Sequence, residues 1–178
     1  MVVDIEHAVT EQAMDRALRT ALAQLLPELR AFARYLSGSR SEADDLVQEA
    51  IVRTLKALDG KAEGVDLRAW CLAVVRNTFH EQLRSRRREQ RLAEVFPEAE
   101  SPADQEVPGR IRDLTRALRT LPPLLREAVI LVGAQGLSHT EAAAICAVPL
   151  GTMKARVSRA RRLLAEKLER AAPDPVID

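Results

Sequence analysis

Apolar residues recur at helical spacing along most of this chain, and no stretch shows the strict alternation or Asn-Gly turns of a sheet protein. Leu22, Leu25, Leu26, Leu29, Phe32, Ala33 and Leu36 fall at i, i+3, i+4 and predict an amphipathic helix; Pro27 either kinks it or opens a second helix inside it, and Gly38 supplies a left-handed stop. A second helix is predicted from Ser41, whose hydroxyl is placed to cap it while Glu42, Asp44 and Asp45 suit the positive end of the helix dipole. Its apolar positions, Leu46, Val47, Ala50, Ile51, Leu55 and Leu58, turn Asp45, Gln48, Glu49 and Arg53 outward. Asp66 is placed to cap a third helix with the stripe Leu67, Trp70, Cys71, Val74, Val75 and Thr78, in which Trp70 reads as a packing anchor.

A Pro-containing acidic stretch then breaks the pattern. Pro97, Pro102 and Pro108 stand among Glu94, Glu98, Glu100, Asp104 and Glu106, too poor in apolar residues to fold alone, so a flexible linker is expected. Beyond it, Ile111, Leu114, Leu118 and Leu121 predict a short helix stopped by Pro122 and Pro123, and Leu124, Leu125, Ala128, Val129 and Leu131 predict another, ended by Gly136. Ser138 and Glu141 have the form of a capping box, and Pro149 opens a last, long helix. The expected fold class is therefore all-α, two small helical bundles joined by a flexible acidic linker. The expected division is a disordered start at 1–13, one unit at 14–93, the linker at 94–109, a second unit at 110–172 and a disordered tail at 173–178. At 178 residues, 47% hydrophobic, each unit can bury one modest core.

Net charge is only +1, but its distribution is uneven. Residues 84–91 carry five arginines against Glu89 alone, a balance of +4, and residues 150–170 carry seven basic groups against Glu166 and Glu169, a balance of +5. With acidic segments at 42–49 and in the linker, two kinds of partner are implied. Enzyme chemistry is not: three histidines, no nucleophile elbow and no phosphate-cradling glycine loop are present. Cys71 and Cys146, 75 positions apart without ligand-spaced neighbours, read as buried reduced thiols, so neither metal nor cofactor is expected. No apolar run reaches bilayer length and the first residues lack the features of a secretory signal, so no membrane is expected as a partner.

Gly136 to Arg162 has the layout of a helix-turn-helix. At 100° per residue Leu150, Met153, Val157, Ala160, Leu164 and Leu168 form one stripe, opposite Gly151, Thr152, Ala155, Ser158, Arg159 and Arg162, with Lys154, Arg156 and Arg161 on the flanks. Small residues there allow close entry into a major groove, Arg159 has the reach for guanine O6 and N7, and the flanking cations suit phosphates. On the third helix a similar projection groups Arg76, Asn77, His80, Arg84 and Arg87. Asn77 can donate to and accept from an unpaired base, the arginines can hold a strand, and His80 also fits a simply exposed histidine. The acidic face of Asp45, Gln48 and Glu49 repels DNA and should meet a protein.

Four motifs, DDLVQEA (44–50), LRAW with VVRNTF (67–70, 74–79), LREAVILVGAQGLSHTEAAAIC (125–146) and GTMKARVSRAR (151–161), together resemble the extracytoplasmic-function group of sigma-70-type transcription initiation factors, and within it the EcfG-type general-stress-response subgroup. The resemblance covers about residues 25–168. It implies a region 2 domain and a region 4 domain, core RNA polymerase as partner through its clamp coiled coil and flap, promoter DNA read at the minus-ten and minus-thirty-five elements, control by an anti-sigma factor, and a cytoplasmic location, with no small-molecule substrate. Carried over by position, Asp45, Gln48 and Glu49 would meet the clamp. Asn77 and the loop 60–66 would hold a flipped minus-ten base, with Arg76, Arg84 and Arg87 along the strand. Lys154, Ala155, Ser158 and Arg159 would face the minus-thirty-five element, and Arg156 and Arg162 the phosphates. Ala155 stands where the family often has Ser, and Ala147 where it often has Gly before the turn. Two rivals remain at this point. A sigma-like decoy that only sequesters an anti-sigma factor has no need of the basic reading face, and a helix-turn-helix repressor leaves the acidic face of the second helix unexplained.

Overall fold

A computed structural model describes residues 2–58, 64–93 and 109–171, with side chains for 16–58, 64–89 and 113–169. The described residues form seven helices and no strand: α1 (Val2–Ser37), α2 (Arg40–Ala57), α3 (Leu67–Ala93), α4 (Gly109–Arg119), α5 (Pro123–Gly133), α6 (His139–Ile145) and α7 (Leu150–Ala171). The all-α expectation holds. Helix α1 is continuous through Pro27 and starts at Val2, ahead of the predicted onset at 14. The linker short of Gly109 and the tail at 173–178 lie outside the described residues.

Helices α1, α2 and α3 pack on one another around Leu29, Phe32, Leu36, Leu46, Val47, Leu72 and Val75, all 2% exposed or less. Each such large side chain contributes roughly 1.5–3 kcal/mol of apolar burial. Gly38, at φ 77°, ends α1 by sending its N–H to the Arg34 carbonyl at 2.8 Å, the left-handed stop expected there. Two local expectations are corrected. The cap of α2 is Ser39, whose hydroxyl accepts from the Glu42 amide, because the helix begins two residues earlier than predicted and Ser41 is already inside it. On α3 the buried stripe is Cys71, Leu72, Val75 and Thr78, while Trp70 is 38% exposed. The core-facing arc is rotated, so Leu72 does the packing assigned to Trp70. Asp66 does cap α3, its Oδ1 accepting from the Ala69 amide at 3.0 Å.

The second bundle packs α4, α5 and α6 on α7 around Leu121, Ile130, Leu131, Met153, Val157 and Ala160. The two bundles also meet: α5 lies against α1 and α6 against α3. A single apolar core therefore runs through both. Arg126 ties this seam, donating to the Arg119 and Leu121 carbonyls at 2.6 and 3.1 Å within its own bundle and to the Leu36 carbonyl at 3.0 Å across it.

Candidate nucleic-acid interface

The helix-turn-helix is built as its sequence dictates. Ser138 Oγ accepts from the Glu141 amide at 3.2 Å while Glu141 Oε2 accepts from the Ser138 amide at 2.7 Å, the reciprocal cap that starts α6. That bonding holds the Glu141 carboxyl below its ordinary value, chiefly through the Ser138 side chain. The turn runs through Ala147 at φ 51°, the one non-glycine residue with positive φ among the described residues. Strain therefore sits where the family often has glycine.

Buried Met153, Val157 and Ala160 fix the rotation of α7. Thr152, Lys154, Ala155, Ser158, Arg159 and Arg162 are consequently exposed on one side, as projected. A Cβ added at Gly151 would meet no protein atom within 4 Å, so packing does not require glycine there and the outer face is open. Leu150, at the head of the predicted apolar stripe, is instead 40% exposed because it precedes the first packed turn. Arg162 is exposed, with only a loose approach to Glu166 at 3.9 Å.

Arg156 departs from its projected place. Its side chain is 18% exposed and turns inward, Nη1 lying 3.5 Å from Glu127 Oε1. The minus-ten set divides the same way. Asn77, Arg84 and Arg87 are exposed, whereas Arg76 donates from Nε to Glu127 Oε2 at 3.1 Å and from Nη2 to Glu127 Oε1 at 3.2 Å. His80 Nε2 is 2.5 Å from the same Oε2. Arg76 Nη1 also donates to Asn77 Oδ1 at 3.1 Å, which leaves the Asn77 amide to be the outward donor. Of the loop expected beside Asn77, residues 60–63 lie outside the described residues.

Sequence reasoning missed Glu127, the fully buried carboxylate on which Arg76, His80 and Arg156 converge. Its signal was present: a lone acid within the apolar run Leu124 to Leu131, in phase with Leu124 and Leu131. Burial by itself would raise its carboxyl, but the His80 hydrogen bond and the Arg76 charge outweigh that and hold it below the ordinary value. Cys146 beside it is pushed up to about 12, by burial first and then by the Glu127 charge, and burial pushes Cys71 up to about 11. Both thiols are free and buried.

On α2 Asp45 and Gln48 are exposed and Glu49 is half-buried. They line an open depression with Arg53, Lys56 and Val52, the last 49% exposed. Glu49 is held from two sides, by Arg53 Nη2 at 2.6 Å and Gln82 Nε2 at 2.8 Å, so α2 and α3 fix it jointly. The exposed apolar side chain of Val52 thus stands among the charged groups Asp45, Glu49, Arg53 and Lys56. Among the described residues no helix is long and apolar enough to cross a membrane, and no group of three or more His, Cys, Asp or Glu is placed to hold a metal ion.

Comparison with known proteins identifies both helical units. Residues 22–89 match Sigma-70 region 2 and residues 111–164 match Sigma-70, region 4. The chain is 42% identical over 154 residues to the ECF RNA polymerase sigma factor EcfG of Rhodopseudomonas palustris (strain TIE-1), covering 85% of each. It is 34% identical over 178 residues to the ECF RNA polymerase sigma factor SigC of Mycobacterium tuberculosis (strain CDC 1551 / Oshkosh), covering 95% of this chain and 94% of that one. Among solved structures it is similar to the sigma factor RpoE of Bartonella quintana, determined with the anti-sigma factor NepR, with a TM-score of 0.76 at 41% identity over 86% of this chain and 98% of that one. With both helical regions matched and the EcfG relative aligned over most of its length, the chain belongs to the extracytoplasmic-function sigma factors of the sigma-70 family.

Proposed function

We propose that this protein is an alternative sigma factor that binds core RNA polymerase and directs initiation at promoters with defined minus-ten and minus-thirty-five elements. The observation that carries the reading is the exposed face of α7, where Lys154, Ala155, Ser158 and Arg159 stand together over a buried Met153, Val157 and Ala160. Thr152 and Arg162 border it. Such a face presents small residues for close approach and one arginine with the reach for a base edge. Asn77, Arg84 and Arg87 on α3 are assigned to the minus-ten strand, with Arg76 and His80 beside them, and Arg156 to the phosphates. Asp45, Gln48 and Glu49, around Val52, are assigned to the polymerase clamp.

The protein works in the cytoplasm, where its polymerase is, and holds no catalytic residues of its own. Its control falls to an anti-sigma factor in a stress response, a reading supported by its similarity to a sigma factor solved with NepR. Selection of bound DNA from a randomised promoter pool tests the assignment. Core polymerase with this protein should enrich two short elements at a fixed spacing. A pool left unenriched, beside tight anti-sigma binding, would favour the decoy instead.

A further inference from the structure

Glu127 is the one fully buried carboxylate among the described residues, and two of its three side-chain partners come from the other bundle. Glu127 and Arg156 belong to the C-terminal unit; Arg76 and His80 belong to α3 in the N-terminal one. Two further side chains bridge the seam. Arg68, held by both oxygens of Glu28 in its own unit, donates from Nη2 to the Gln135 carbonyl at 2.7 Å, just before the helix-turn-helix. Arg126 donates in the opposite direction, to the Leu36 carbonyl at 3.0 Å.

This arrangement has a direct cost for DNA binding. Side chains of Arg76, His80 and Arg156 are only 13%, 15% and 18% exposed while Glu127 holds them, and a phosphate cannot approach groups so covered. Arg84, Arg87, Arg159 and Arg162 remain exposed in the same state. The grip on nucleic acid is thus divided into a part always available and a part held back.

We propose that Glu127 is an intramolecular clasp. It closes the two units on each other by occupying the strand-binding side chains Arg76 and His80 of α3, and opening transfers them from the carboxylate to promoter DNA. The proposal rests on the assignment of Arg76 and His80 to the minus-ten strand. Its chemistry is an exchange of partners: the Arg76 guanidinium leaves a carboxylate and gains a phosphate, and His80 exchanges its hydrogen bond to Glu127 for one to the strand. Glu127 is not stranded by opening, because Arg156 sits on its own unit and stays with it while water reaches the vacated side. If only the open form binds strand fully, apparent affinity falls in proportion to the open fraction. A polymerase that holds the two units apart would then raise strand affinity without touching α3.

The full-length protein, labelled with a donor and an acceptor at Lys56→Cys on α2 and Lys167→Cys on α7, reports the separation of the units by energy transfer. Binding of a fluorescent single-stranded minus-ten oligonucleotide is measured on the same samples without polymerase. Glu127→Gln should lower the transfer and tighten strand binding roughly three- to tenfold. Arg68→Ala removes a bridge without touching Glu127 and also removes a positive charge, so simple electrostatics would weaken its strand binding; the clasp predicts tighter binding here too. Unchanged transfer in both variants, with helical circular dichroism retained, would overturn the clasp. If Glu127→Gln loses its helical signal, Arg68→Ala decides alone. Lowered transfer with no gain in strand affinity would keep the clasp and remove α3 from the minus-ten assignment, so the two readings fail separately.

Discussion

Arg76 on α3 and Glu127 on α5 are paired through two hydrogen bonds of 3.1 and 3.2 Å, although 51 positions and a linker separate them. The pair joins the two bundles through side chains of which Arg76 is only 13% exposed and Glu127 fully buried. A carboxylate in that position is tolerable only because cations surround it.

Acid should therefore act through this site. The folded-state carboxyl of Glu127 is depressed, so its contribution to stability is present above the ordinary value of 4.5 and is lost as pH falls through the depressed folded value. The groups facing it are Arg76 and His80 from α3, Arg156 from α7 and Cys146 at the end of α6. Urea melts from neutral pH downward should show the native protein losing stability below about pH 4.5 more steeply than Glu127→Gln. Parallel curves for the two proteins would show that this carboxylate does not carry the linkage.

Along α7 the exposed cations should separate by role. Arg159→Ala should reduce discrimination at one or two base pairs of the minus-thirty-five element by about 1–3 kcal/mol. Arg162→Ala should weaken all sequences alike and flatten the salt dependence by about one unit of slope. Competition binding with single-base promoter variants at several salt concentrations distinguishes the two, and identical profiles would contradict the orientation of the helix.

Ala147 offers a test of the turn. A left-handed alanine costs roughly 1–2 kcal/mol, while glycine adds about 0.4–1 kcal/mol of unfolded-chain entropy. Ala147→Gly should accordingly leave stability unchanged or raise it by up to about 1.6 kcal/mol. Ala147→Val should lower it clearly, because a β-branched residue tolerates φ 51° worse. Thermal melts of the two variants give the sign.

Most caps were legible where the cause is local, although α2 is capped by Ser39 and not by Ser41. Ser138 with Glu141, Asp66 before α3 and Gly38 after α1 act within four residues, and each does what its sequence context implies. The rotation of α7 was legible too, because Met153, Val157 and Ala160 leave one way to bury the helix. What escaped is set by packing between elements. Trp70 lies in phase with the apolar stripe of α3, yet Leu72 takes the core because α1 and α2 approach from its side. Arg76, His80 and Arg156 appear solvent-facing when each helix is projected alone. The apposition of the bundles brings Arg76 and His80 to Glu127, the packing of α7 on α5 brings Arg156 there, and no periodicity encodes either contact.

The most direct test of the central claim is run-off transcription. Core polymerase supplied with this protein should yield discrete transcripts from promoters selected out of the random pool and none from scrambled elements, with Arg159→Ala shifting which promoters are used. Transcription no different from core polymerase alone, on every selected promoter and with the protein folded, would contradict the account.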